Sequence, residues 1–415
     1  MKKNLFKSII LLIVLAFASF VYFPGCTNEV SPSLYSGTPT DPSGTTPKIT
    51  SVDPASAALA HVDIITIKGE NFLTDTSAVK VYFGKQPGKV LQASQTQLTV
   101  LSPNVSGNLK IKISTNAAEL FSNTYDYYLE AAAVDRYPDV KDQTNVPMVI
   151  AIDKNDNLYT SNASIGVVQI TPDSVTSLYS PKGGETYWAC MRLGPGGDLY
   201  AARGLQAIFY IPAGGGVKNS PWVVLSPSSL KLFHIEFDPM GNLWASGNNS
   251  NIYRIKPDKS YTSFPFNNNV TAMRIFKDGS GTYIYTAVLQ DSITTIMRIP
   301  IDANSDPGSP ETYFDFSGKY GSGYVVNDLT FAADGEMFLA TNLPSPIVYV
   351  NTDKSSGILY PDIILKSPAL SFAWGSGNYL YYVRSQINDA SGALVLPQSI
   401  VRLNVQKPSA PYYGM

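Results

Sequence analysis

Phe237-Asp238-Pro239-Met240-Gly241-Asn242-Leu243-Trp244-Ala245, followed by Ile252-Tyr253-Arg254-Ile255, reads as the end of an apolar strand, a tight turn, a strand opening on an aromatic, and a third strand. The phrase recurs at Asp156-Asn157-Leu158-Tyr159, Gly197-Asp198-Leu199-Tyr200, Gly281-Thr282-Tyr283-Ile284-Tyr285, Gly335-Glu336-Met337-Phe338 and Gly377-Asn378-Tyr379-Leu380-Tyr381. The aromatics at 159, 200, 244, 285, 338 and 381 stand 41, 44, 41, 53 and 43 residues apart. A third strand follows each hairpin, at 166–170, 207–211, 251–255, 295–299, 346–350 and 399–405. Units of this length, each a small antiparallel sheet that buries its faces only against its neighbours, are the signature of a β-propeller. The repeats predict six blades over 131–415, with 300–323 a loop-bearing insertion and a segment near 134–140 the outer strand of the last blade.

The repeat phrases resemble NHL-type and gluconolactonase-like propellers, which implies a central channel with ligands at its mouth. Counting back ten residues from each aromatic, with a two-residue allowance in the fourth unit, places Val149, Cys190, His234, Met273, Asp328 and Ser371 toward the channel. Two residues on lie Ala151, Arg192, Glu236, Ile275, Thr330 and Ala373. The next positions (Ile152, Leu193, Phe237, Phe276, Phe331, Trp374) fall on the opposite face and are all apolar, as packing between blades requires.

Ahead of the propeller the chain is modular. Lys2, Lys3 and Lys7 precede the uncharged apolar run at 8–22, which has the form of a signal peptide. Gly25-Cys26 at its end resembles a bacterial lipobox, which implies cleavage after residue 25 and lipid on Cys26. Phe23 and Pro24 depart from the usual Leu-Ala or Leu-Ser of that motif. An uncleaved signal anchor is the rival reading. Cys190 would then be left without a partner for an internal bridge and reads as a small buried apolar group. Residues 26–47, rich in Ser, Thr, Pro and Gly, cannot bury enough apolar surface to offset chain entropy and read as a flexible tether. The lipobox resemblance implies a lipoprotein of the cell envelope, at the outer membrane, facing either the surface or the periplasm; Glu29 only weakly echoes the acidic export signals of Bacteroidetes surface lipoproteins.

From 48 to 130 short alternating strands resume, at 48–52, 62–68, 79–83, 97–101, 108–114 and 124–129, as in an immunoglobulin-like sandwich. Ile49-Thr50-Ser51-Val52-Asp53-Pro54, Ile65-Thr66-Ile67-Lys68-Gly69-Glu70-Asn71-Phe72 and Val81-Tyr82-Phe83-Gly84 resemble an IPT/TIG domain, which implies a spacer or interaction surface. Gly69 is expected to permit a turn, Phe72 to plug the end of the sandwich and Gly84 to close a hairpin. The fold expected for the whole is all-β, an Ig-like sandwich followed by a six-bladed β-propeller.

The chain's chemistry is sparse. With 30 Lys+Arg against 32 Asp+Glu, the formal net charge of −2 gives no electrostatic reason to expect nucleic acid as a partner, which needs a concentrated basic face. Two histidines, His61 and His234, and no paired cysteines exclude a His/Cys zinc site, and no Gly-x-Ser-x-Gly elbow is present. Asp153-Lys154-Asn155-Asp156-Asn157 begins like a calcium loop but has Leu158 where that loop needs Gly and Ser164 where it needs Glu, and reads as a hairpin turn. Gly214-Gly215-Gly216 lacks the Gly-Lys-Ser/Thr of a phosphate loop.

One constellation remains: Arg192, His234, Glu236 and Asp328 converging on the channel mouth, either as acid, base or metal ligands or as single polar residues satisfied by neighbouring backbone. Asn327-Asp328-Leu329 resembles the Asn-Asp phrase of calcium-dependent lactonase and esterase propellers, which implies an enzyme as the alternative function. Too few oxygen donors stand at the equivalent positions for a calcium cage, so no metal, cofactor or catalytic residue is assigned. Loop aromatics offer a second lead. Tyr187, Trp188, Trp222, Phe233 and Tyr261, near Asn248, Asn249 and 267–269, could stack on sugar faces while amides bond hydroxyls, or simply cap blades. The module order resembles Bacteroidetes carbohydrate-uptake lipoproteins. The expectation is a non-catalytic binding protein for a glycan or a surface protein, with a protein scaffold as a third reading.

Overall fold

The computed structural model describes residues 44–137, 146–183 and 187–414. The expected signal segment, Cys26 and most of the tether lie outside the described residues. Among the described residues no helix is long and apolar enough to cross a membrane.

The amino-terminal module contains β1 (Lys48–Asp53), β2 (Ala57–Leu59), β3 (Ile64–Glu70), β4 (Val79–Phe83), β5 (Gln86–Ala93), β6 (Gln97–Leu101), β7 (Gly107–Thr115) and β8 (Tyr125–Glu130). Their order is β1-β3-β6-β5-β4-β7-β8-β2, and β5 pairs with both β6 and β4. The two wings thus fold over one core, where Ile65, Ile67, Leu98 and Val100 meet Val81, Phe83, Ile111 and Ile113. Alternation drives this: every second residue of β3 and β4 is buried. Two strands, β2 and β5, escape the sequence reading. β5 has no fully buried residue, so it lacks the alternation that marks its neighbours. Phe72 fills the core as expected, and Gly84 closes the β4–β5 hairpin at φ 61°. Gly69 plays a different part from the one expected. It lies inside β3, where a Cβ would stand 2.0 Å from the Lys48 carbonyl oxygen and 2.3 Å from the Phe72 ring. Close approach, not a turn, requires glycine there.

The propeller begins with β9 (Ala133–Tyr137). Then come β10 (Pro147–Ile152), β11 (Leu158–Asn162), β12 (Gly166–Ile170) and β13 (Thr176–Pro181) in a first sheet. A second sheet holds β14 (Cys190–Leu193), β15 (Leu199–Ala202), β16 (Ala207–Ile211) and β17 (Ser220–Val224). A third holds β18 (Leu232–Phe237), β19 (Leu243–Ile255), β20 (Tyr261–Lys277), β21 (Thr282–Gln290), β22 (Ile293–Ile301) and β23 (Glu311–Phe314). After the short helix α1 (Phe316–Tyr320), a fourth sheet holds β24 (Val326–Phe331), β25 (Met337–Thr341), β26 (Ile347–Val350) and β27 (Ser356–Ile358). The last contains β28 (Ala369–Trp374) and β29 (Tyr379–Arg384), an excursion through β30 (Ile387–Asn388) and β31 (Leu394–Leu396), then β32 (Ser399–Asn404). Its order is β28-β29-β32-β9, so the strand arriving from the sandwich completes the final sheet.

The six sequence repeats therefore form five hydrogen-bonded sheets, which corrects the expected six blades. The third and fourth repeats share one six-stranded sheet, because β19 and β20 run on through the Asn-rich stretches. Asn248 pairs with Asn269 and Asn249 with Asn268, where a polar loop was expected. Apolar clusters fill the spaces between successive sheets. Phe276 stacks on Phe331 at 4.3 Å, and Phe338 meets Trp374 edge-on at 5.3 Å.

Past β32 the chain crosses the ring on the side of the tight turns. Lys407 bridges Asp334 at 2.7 Å and Glu336 at 2.8 Å, the Ala410 amide donates to the Phe331 carbonyl at 3.0 Å, and Ser409 Oγ donates to the Gly375 carbonyl at 2.9 Å. Tyr412 reaches the ring centre, its hydroxyl donating to the Leu193 carbonyl at 2.6 Å. On the same side the two modules touch: Tyr379 donates to Glu130 Oε1 at 2.9 Å and Gln406 Nε2 to Asp63 Oδ1 at 2.9 Å.

Candidate functional site

The innermost strands β10, β14, β18, β20, β24 and β28 carry the channel residues. Strand pairing sets which ones face inward: Arg192 lies opposite Tyr200, Glu236 opposite Trp244, Arg274 opposite Tyr285, Thr330 opposite Phe338 and Ala373 opposite Tyr381. The fourth repeat departs from the expected alignment. Its turn holds three extra residues rather than two, so Arg274 occupies the position given to Ile275. Ile275 and Met273 sit instead in the apolar cluster around Trp244, Ile252 and Phe266. The signal was present in the long turn Lys277-Asp278-Gly279-Ser280-Gly281.

Arg192, Glu236 and Asp328 do converge, and Arg274 joins them. Arg192 Nε donates to Glu236 Oε2 at 3.0 Å, Arg274 donates to the same oxygen at 3.1 Å, and Arg192 also reaches Asp328 Oδ1 at 3.5 Å. The other carboxylate oxygens are occupied by backbone. Glu236 Oε1 accepts from the Phe237 amide at 3.2 Å. Asp328 Oδ1 accepts from the Leu329 amide at 2.9 Å, and Oδ2 from the Phe372 amide at 2.8 Å. Glu236 is 1% exposed, Arg192 5% and Asp328 7%, so the charges compensate one another away from water. Two cations and two carboxylates leave the group neutral, a condition for burying it at all.

Tyr412 closes one end of this group. Its ring lies 5.1 Å from the Arg274 guanidinium, and burial, with Glu236 beside it, pushes the phenol well above its ordinary range. A cavity of about 20 Å³ is left beside Arg192, Arg274 and Tyr412, little more than a water molecule needs. His234 stands within electrostatic reach of Asp328 and Arg192. Burial lowers its imidazole to about 4, with Arg192 adding to the effect and Asp328 opposing it. Cys190 is a buried free thiol whose Sγ faces the Ile235 carbonyl at 3.7 Å, and burial pushes it up, which makes it inert. Among the described residues no group of three or more His, Cys, Asp or Glu side chains could hold a metal ion.

The loop aromatics separate into exposed and buried. Tyr187 is 62% exposed and Tyr261 40%. Trp188, at 2% exposure, is packed with Val149, Met191 and Tyr159, so it is a core residue and not a stacking platform. Trp222 stands edge-on to Tyr200 at 5.1 Å on the side of the second sheet. Phe233 is half-buried against Gly204, where a Cβ would come within 2.5 Å of its ring. Asn249 and Asn268 spend their amides on the Lys231 and Phe266 backbone. Of the aromatics expected to stack on a sugar, Trp188 is therefore withdrawn by its burial.

Comparison with known proteins agrees with this architecture. The IPT/TIG domain family model matches residues 47–128. No curated protein sequence matches the chain. Among solved structures, a candidate phosphatase from Bacteroides thetaiotaomicron is similar over 88% of this chain and 98% of its own, at 14% identity and TM-score 0.58. An auxiliary nutrient binding protein from Bacteroides ovatus is similar over 88% of this chain and 99% of its own, at 12% identity and TM-score 0.51. A calcium-binding protein, regucalcin, from Agrobacterium tumefaciens covers 66% of this chain and 95% of its own, at 16% identity and TM-score 0.51. At these identities the likeness is one of fold: a TIG-type Ig-like domain joined to a β-propeller.

Proposed function

We propose that this chain is a non-catalytic binding protein of the cell envelope, anchored by lipid on Cys26, whose propeller captures an extracellular ligand while the IPT/TIG domain acts as spacer. A glycan is the ligand class favoured. The observation that carries this reading is the state of the channel charges: all four oxygens of Glu236 and Asp328 already accept internal hydrogen bonds, and Tyr412 covers one end. A general acid or base must reach the proton it moves, and these carboxylates are committed to structure. The fold shared with an auxiliary nutrient binding protein along both modules supports a binding role.

Native affinity electrophoresis of the chain from Thr27, in gels containing amylopectin, dextran, xylan or yeast mannan, tests the reading. Retardation by one polymer, with no new reducing ends released from it, is the expected result. Release of reducing ends would establish an enzyme instead, and mobility unchanged in every gel, together with one crosslinked envelope protein, would replace glycan by a protein partner.

A further inference from the structure

The channel's Glu236 and Asp328 are committed to their own ion-pair group with Arg192 and Arg274. A cavity of about 670 Å³ lies between the first and second sheets on the side of the tight turns. That volume falls within the range of small-ligand clefts. We infer that this cleft is a saccharide subsite, with Asn155, Gln169 and Ser177 bonding hydroxyls against a wall of Leu178, Tyr159 and Tyr179. The inference rests on the glycan-binding reading above and gives it a location that the sequence did not single out.

The polar groups are fixed before any ligand arrives. Gln169 Nε2 donates to the Tyr159 hydroxyl at 2.9 Å, and that hydroxyl donates to Asp153 Oδ2 at 3.1 Å. Asp153 also accepts from the Asn155 and Asn157 amides and from Asn157 Nδ2, so its oxygens are satisfied within the turn. The relay sets the orientation of Gln169 and leaves its carbonyl oxygen and second N–H available, a donor and acceptor pair spaced to meet adjacent hydroxyls. Tyr159 and Tyr179 hold one another edge-on at 4.8 Å, giving an apolar side for the C–H face of a sugar ring.

The floor is glycine. Gly196, Gly197, Gly214 and Gly216 line the cleft at φ 79°, 86°, 88° and 76°, a conformation in which other residues are strained, and they keep it open to its full depth. The 214–216 turn is tied down by the Gly216 amide, which donates to the Tyr179 carbonyl at 2.7 Å. Asp153 and Lys154 are the charged residues of the lining and are opposite in sign, so the cleft carries no net charge and the chemistry favours a neutral sugar over an anionic one.

The test is affinity electrophoresis of the same chain in the same four polymers, comparing wild type with Asn155→Ala, Gln169→Ala and Ser177→Trp, and with His234→Asn as the channel control. Asn155 and Ser177 are exposed, so their variants leave the core intact, and the tryptophan fills the cleft by volume alone. Each alanine variant is expected to weaken retardation about fivefold to tenfold, the effect of one lost hydrogen bond. Ser177→Trp is expected to abolish retardation, and His234→Asn to leave it unchanged. Retardation of wild type that survives Ser177→Trp would overturn the cleft while leaving the glycan reading intact. Wild type retarded by none of the polymers would overturn both.

Discussion

At Glu236 two arginines meet one carboxylate oxygen, and the sequence shows only one of them in register. Arg192 and Glu236 were legible because each precedes its aromatic by eight residues. Arg274 was not, because a longer turn displaced it, and turn length moves register without changing the apolar pattern. His234 carries a testable consequence of its burial. Its folded value of about 4 lies below the ordinary 6.5, so the unfolded chain takes up a proton first as pH falls. Stability from this residue is therefore full above pH 6.5, declines toward pH 4 and levels off below it, by at most about 3 kcal/mol. Urea titrations at pH 7 and pH 4.5 should show a smaller loss in His234→Asn than in wild type; equal losses would mean the imidazole is not held neutral. Trp188 shows the opposite error of reading. A tryptophan in a loop looks like a binding surface, whereas burial is set by neighbours distant in sequence, here Val149, Tyr159 and Ala201.

Among the elements, alternation found the strands that face a core and missed those that do not. β3, β4 and β7 alternate and were read correctly in kind, while β5 pairs on both sides with few buried side chains and left no pattern. The β19–β20 ladder was missed for a related reason. Asparagine is a poor strand former, yet Asn248, Asn249, Asn268 and Asn269 are held in register by the pairs on either side of them. Gly69 offers a prediction at this scale. Gly69→Ala forces its new methyl against the Lys48 carbonyl and the Phe72 ring, so β1 and β3 must separate, at a cost of about 1–3 kcal/mol. Hydrogen exchange should quicken in β1 and β3 and stay unchanged in β14 and β18. Equal exchange in the variant and wild-type sandwich would show that β1 yields without penalty.

For the whole molecule, the repeat period made the propeller legible and the matched TIG segment made the sandwich legible, but how the ring closes depended on contacts between distant residues. Closure joins the strand that leaves the sandwich to the last strand of the ring, through Ala133 opposite Leu403, Val134 opposite Arg402, Asp135 opposite Val401 and Tyr137 opposite Ile400. β9 pairs with β32 alone, at the edge of its sheet. Tension along the backbone between the sandwich and the propeller passes through that strand, with the Tyr379–Glu130 and Gln406–Asp63 contacts beside it. A chain stretched from Lys48 and from the second sheet in an optical trap should first release β9, opening the ring as a reversible early event, and only later lose the sandwich; a first rupture within 48–130 would contradict this. The seam that completes the propeller is then also its mechanical fuse, which yields under load before either module is destroyed.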